Sequence, residues 1–100
     1  MQINDEIKSV AQQIKKMTDV KKIMLFHTKN NVHGNLSGFK MCVITDTADK
    51  VMLELKIYRE IESDIPFDVV IYTPHEWECL SAENGTFAHK VEMTGCEIIG

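Results

Sequence analysis

Arginine is almost absent from this chain, Arg59 being the only one. Faces that read phosphates or base edges need clustered cations, so one arginine and a net charge of -4 argue against a nucleic-acid partner. Long apolar runs are missing too. Four residues is the longest, as in Ile23–Phe26, whereas a bilayer span needs roughly 20, so no membrane partner is expected. Met1–Glu6 holds no basic stretch followed by an apolar core, so no signal peptide is read there and a cytoplasmic location is expected. The three cysteines, Cys42, Cys79 and Cys96, are widely spaced and form no Cys-x-x-Cys pair. That excludes a zinc knuckle and a dithiol redox site. Cys42, inside an apolar run, reads as a small buried hydrophobe. Gly-x-Ser-x-Gly, Walker and Gly-x-Gly-x-x-Gly patterns are all absent, and none of the 4 histidines forms His-x-x-x-His. Serine nucleophiles, P-loop and dinucleotide binding, and helix-borne metal pairs therefore have no written motif.

What is present describes one ordinary folded domain over residues 1–100, with 44% hydrophobic and 26% charged residues. Ile3, Ile7, Val10, Ile14 and Met17 recur at spacings of four and three, the stripe of an amphipathic helix capped by Asn4 or Asp5. Lys15, Lys16, Lys21 and Lys22 cluster near its end, where cations suit the helix dipole. A strand is predicted over 21–26, a loop over 29–38 and a second strand over 39–45. A helix follows from Asp46 or Thr47 to Glu62, with Ala48, Val51, Leu55 and Tyr58 as its apolar row. Met52, Leu53, Ile57 and Ile61 widen that face into either a well-buried helix or a partner surface. Ser63–Pro66 breaks the chain before a third strand at 67–72. Thr73-Pro74 opens a short helix, and 86–94 forms a last helix ended by Gly95, before a terminal strand or extended tail at 97–99. This order predicts an α/β (α+β) two-layer sandwich with a small mixed sheet and flanking helices.

The apolar strands Ile23–Phe26, Met41–Ile44 and Phe67–Ile71 come in the order of the minimal nucleotidyltransferases, small relatives of the DNA polymerase β catalytic domain. The closing segments Ile71–Trp77 and Phe87–Ile99 are also similar to that family's, so the resemblance covers nearly the whole chain. In that family the first strand runs into Gly-Ser, the second carries Ser-Asp-x-Asp-Leu, and the third carries one more Asp. Here His27-Thr28 stands at the Gly-Ser place, Ser37-Gly38-Phe39-Lys40-Met41 stands at the acidic motif, and only Asp68 survives. His33-Gly34 resembles the Arg-Gly of the following loop. The resemblance implies three carboxylates holding two divalent ions, Mg2+ in the family, that bind a nucleotide triphosphate. In this chain two of those places are Gly38 and Lys40, or Phe39 and Met41 without a gap in the loop. An ammonium at Lys40 repels a metal by on the order of several kcal/mol at an effective dielectric of about 20.

The expectation is therefore a degenerate, catalytically inactive nucleotidyltransferase-like pseudoenzyme with no confident catalytic residue, no metal site and no cofactor. Asp68 is left as a remnant, paired with Lys40 across neighbouring strands, or with His27 as an acid–base pair. The resemblance implies an antitoxin or accessory-subunit type of function, through protein contacts with an all-helical HEPN-type partner or by homo-oligomerisation. The alternative is a module that keeps nucleotide recognition without transfer, using His27, Thr28, Gly34 and Ser37. Residual transfer by an unusual site is the third reading. Trp77, Tyr72 and Phe67 read as packing residues rather than a base-stacking platform.

Overall fold

The computed structural model describes residues 3–100. Of the two possible caps, Asn4 is used: its side chain accepts the Ile7 N–H at 3.0 Å and starts α1 (Asp5–Met17). Acidic residues fill the first turn of α1 and lysines the last, both matching the helix dipole. The expected stripe is the buried one, with Ile7, Val10, Ala11 and Ile14 facing the sheet.

The next two elements, β1 (Val20–Asn30) and β2 (Leu36–Thr45), form a long antiparallel hairpin. The loop expected over 29–38 shrinks to 31–35. The ladder takes in Lys29, Asn30 and Gly38, with Ser37 as the extra residue at a register shift, an extension that no apolar pattern could reveal. At the tip, the Asn31 side chain accepts the N–H groups of His33 and Asn35 at 2.9 and 3.0 Å. Gly34 takes φ +81 there, with open space where a Cβ would stand, so conformation rather than crowding favours glycine.

The middle helix, α2 (Lys50–Glu60), is shorter than expected. Asp49 caps it by accepting the Met52 N–H at 3.0 Å, while the Thr47 hydroxyl holds the Asp49 N–H at 3.3 Å in a preceding turn. Next come β3 (Phe67–Tyr72), α3 (Pro74–Ser81), α4 (Phe87–Thr94) and β4 (Cys96–Ile99). Thr73 and Glu76 close a reciprocal capping box on α3, and Thr86 caps α4. The terminal segment is a strand, paired antiparallel to β1.

The sheet is mixed, in the order β3-β2-β1-β4, with β2 and β3 parallel. The protein is thus α+β, a four-stranded mixed sheet with four helices. One face packs on α1 and α2 through Ile23, Leu25, Met41, Val43, Leu53 and Ile57, among others. Burying each such aliphatic side chain contributes about 1.5–3 kcal/mol. The other face carries a smaller cluster in which Met24, Cys42 and Ile44 meet Trp77, Ala88 and Val91. Trp77 there donates its ring N–H to Glu92 at 3.2 Å and lies edge-on to Tyr72 with centroids 5.3 Å apart. Lys22 reaches Glu92 and Glu97 at 3.2 and 3.5 Å, so part of the basic cluster is spent on local ion pairs. Helices α3 and α4 cover only this end of the second face.

The α2 expectation needs correction. Leu53 and Ile57 face the sheet, whereas Val51 and Leu55, placed in the apolar row, point outward with Met52, and Tyr58 turns onto β3, its ring against Phe67 and its hydroxyl accepting the Val69 N–H. Helical spacing creates both rows, and only packing against the sheet selects between them.

Candidate functional site

Strand alternation places the side chains of Lys40, Cys42 and Ile44 on one face of β2, with Phe39, Met41 and Val43 on the other. Cys42 and Ile44 lie under α3 and α4; Lys40 stands beyond them, exposed. A register shift between Leu25 and His27 brings His27 opposite Lys40 and Lys29 opposite Gly38. The extra residue, Phe26, packs into the second cluster and meets Phe87 edge-on, with centroids 5.0 Å apart. A bulge of this kind re-aims the strand end. Parallel pairing sets Asp68 against Lys40. Three adjacent strands thereby present His27, Lys40 and Asp68 side by side.

They line a cleft of about 500 Å³, whose other walls are Lys29, Ser37 to Phe39, Pro66 and Phe67. Its rim is tied by Phe39 N–H donating to Pro66 O at 3.2 Å and by the Ser37 hydroxyl donating to Lys29 O at 3.1 Å. Phe67 stacks on Phe39 at 5.7 Å and so keeps the start of β3 against β2. Of the residues singled out from the sequence, the fold brings together His27, Ser37, Gly38, Lys40 and Asp68. It separates the other two: Thr28 is registered with Phe39, on the opposite face, and Gly34 sits at the hairpin tip. The sequence reasoning missed Lys29, Pro66 and Phe67 as walls of this cleft. Lys29 was legible in principle, being two residues beyond His27 on the same strand face.

Electrostatically, the cleft differs from the rest of the molecule. Lys29 and Lys40 carry two positive charges and Asp68 one negative, leaving +1 with His27 neutral, in a chain of net charge -4. Among the described residues, no carboxylate lies within ion-pair distance of Lys29 or Lys40. The expected Lys40–Asp68 pair is thus registered but not closed. The His27–Asp68 pair is not formed either, since β2 lies between the two strands and two strand spacings amount to about 9–10 Å. Asp68 is instead felt by Tyr58 on α2. Burial pushes the Tyr58 hydroxyl above its usual range, the hydrogen bond it accepts from Val69 N–H at 2.9 Å opposes this, and the Asp68 charge adds to the rise.

A divalent ion needs several oxygen ligands, usually more than one carboxylate. The donor set here is one carboxylate facing two ammonium groups, and it does not fit such an ion. Among the described residues, no three histidines, cysteines or acids converge on a metal position. What the arrangement does suit is an anion. As a class, the molecule is an α+β domain with one open, cation-lined sheet end. No family model, curated protein or solved structure matches the chain. No helix among the described residues is long and apolar enough to cross a membrane.

Proposed function

We propose that the chain is a degenerate nucleotidyltransferase-like domain that does not transfer nucleotides and works in the cytoplasm by binding another protein. The observation that carries this reading is the content of the cleft. The two places where the resemblance calls for acids, Gly38 and Lys40, lie beside the surviving Asp68, and neither offers a metal ligand. Transfer chemistry of the two-ion type has no second carboxylate to use.

Support for the protein-binding part comes from α2. Val51, Met52 and Leu55 are 68%, 62% and 58% exposed, and Tyr58 is 42% exposed. Val51 and Leu55 stand at i and i+4 with Met52 beside them, the spacing that a helix-in-groove or helix-on-helix contact uses, and Tyr58 at i+7 edges the stripe while its hydroxyl is held by β3. Mixed charges, Lys50, Glu54, Lys56 and Arg59, interleave with the stripe and suit an amphipathic helix as the occupant. Light scattering after gel filtration, with co-purification from the native host, tests this. Association that is lost in Leu55→Glu is the expected result, whether the helix comes from a second protein or a second copy. A clean monomer with no co-purifying protein sinks the reading.

A second reading is that the cleft retains recognition of a phosphate-bearing nucleotide. Its support is the pair of lysines without carboxylate partners at the cleft walls. Thermal shift with ATP, GTP, CTP and UTP tests it. A site held well above its dissociation constant stabilises by a few kcal/mol, about 2.7 at a hundredfold excess.

A further inference from the structure

We propose that the open sheet end is a metal-independent oligophosphate site in which the Lys29 and Lys40 ammonium groups supply all of the cationic charge. This rests on the second reading above and specifies its chemistry. Lys29 lies two positions beyond His27 on one strand face, and Lys40 lies one strand over. Their anchoring points are therefore diagonal neighbours about 7–8 Å apart, and the flexible stems can converge on one phosphoryl group or span two neighbouring ones.

The site is open where an anion must enter. Gly38 presents backbone in place of a side chain between the two lysines, with the nearest atoms to a Cβ there being Pro66 O at 3.6 Å and Lys29 Cβ at 3.9 Å. The Ser37 hydroxyl, committed to Lys29 O at 3.1 Å, holds the Lys29 strand end in register rather than serving as a donor to ligand. Asp68 opposes the anion. It is the one acid lining the cleft, exposed and registered with Lys40. It sets the sign of the most discriminating test: a residue that once served a metal–nucleotide complex weakens binding when neutralised, whereas a carboxylate facing a bare anion strengthens it.

The experiment is calorimetric titration of the purified chain with ATP, inorganic tripolyphosphate and adenosine, each in EDTA and again in magnesium. ATP and tripolyphosphate are expected to bind in EDTA, adenosine not to bind, and affinity to fall with salt as for exposed charges. Tripolyphosphate equal to ATP identifies the free oligophosphate as sufficient; ATP tighter by tenfold or more adds a contact to the nucleoside. Lys29→Met and Lys40→Met are expected to weaken binding at least tenfold each, Lys40→Arg to keep it, and Asp68→Asn to tighten it several-fold. All three residues are exposed, and an unchanged melting temperature for each variant verifies the fold. Binding only in magnesium, or weakened by Asp68→Asn, overturns the metal-independent site while leaving nucleotide recognition standing. Silence toward every phosphate at millimolar concentration overturns both.

Discussion

Gly95 sits where α4 ends against β1, and a Cβ there would lie 2.7 Å from Val91 O and 2.9 Å from Leu25 O. Both are backbone atoms and cannot swing aside. Gly95→Ala is therefore expected to destabilise by about 1–3 kcal/mol, as overpacking does, which chemical denaturation will measure. Cys42 is the second residue with a defined consequence. Burial pushes its thiol from an ordinary 9.0 up to about 12. Below 9.0 both folded and unfolded chains hold that proton; above it only the unfolded chain releases it, so stability is lost as pH climbs toward 12. The raised hydroxyls of Tyr58 and Tyr72, both driven first by burial, act in the same direction. Melting temperature is expected to fall between pH 9.0 and 12, and more shallowly in Cys42→Val, where only the tyrosines remain. A thiol reagent at neutral pH should modify exposed Cys79 and spare Cys42 until the protein is unfolded. The burial of Cys42 was legible from its place in an apolar run; the close approach at Gly95 was not, since it joins segments 70 residues apart, as far as Leu25 lies from Gly95.

At the scale of elements, α2 separates two predictions that composition alone would merge. Ile57 is fully buried and Leu55 is 58% exposed, though both are apolar and two residues apart. Ile57→Ala is expected to cost about 2–5 kcal/mol, whereas Leu55→Glu should change stability by no more than about 0.5 kcal/mol. Denaturant titration of the two variants measures both, and the protein contact of the proposed function should respond only to the second. The helix ends were readable to within a few residues, because Asn4, Thr73 and Thr86 are caps whose side-chain oxygens accept backbone N–H groups. The hairpin ends were not. Lys29, Asn30 and Gly38 look like loop in composition, yet they pair across β1 and β2 because ladder hydrogen bonds use backbone.

For the whole molecule, the question is whether the cleft can be converted into a metal site. In Gly38→Asp/Lys40→Asp, the Cβ added at position 38 meets only ordinary contacts, so the fold should tolerate the change. The cleft would then hold three carboxylates, the two introduced ones and Asp68. Magnesium titration should give no heat with the natural protein and measurable binding with the double variant. Binding by the natural protein would contradict the donor-set argument. The double variant should at the same time lose affinity for tripolyphosphate, since removing one ammonium and adding two carboxylates reverses the sign of the site.

The sequence by itself determined the elements and their order, because apolar periodicity, caps and turn residues act over a few neighbours. It also determined what the cleft lacks, since a missing carboxylate is missing in any fold. Tertiary structure alone decided the rest. The Phe26 bulge turns His27 toward Lys40, Thr28 is sent to the opposite face, and Lys29 joins the cleft. Packing against the sheet chose which apolar row of α2 is buried and which faces outward. The physical reason is common to these cases: the face on which a side chain lies depends on strand register and on which neighbour covers it, and both are set by contacts between distant segments.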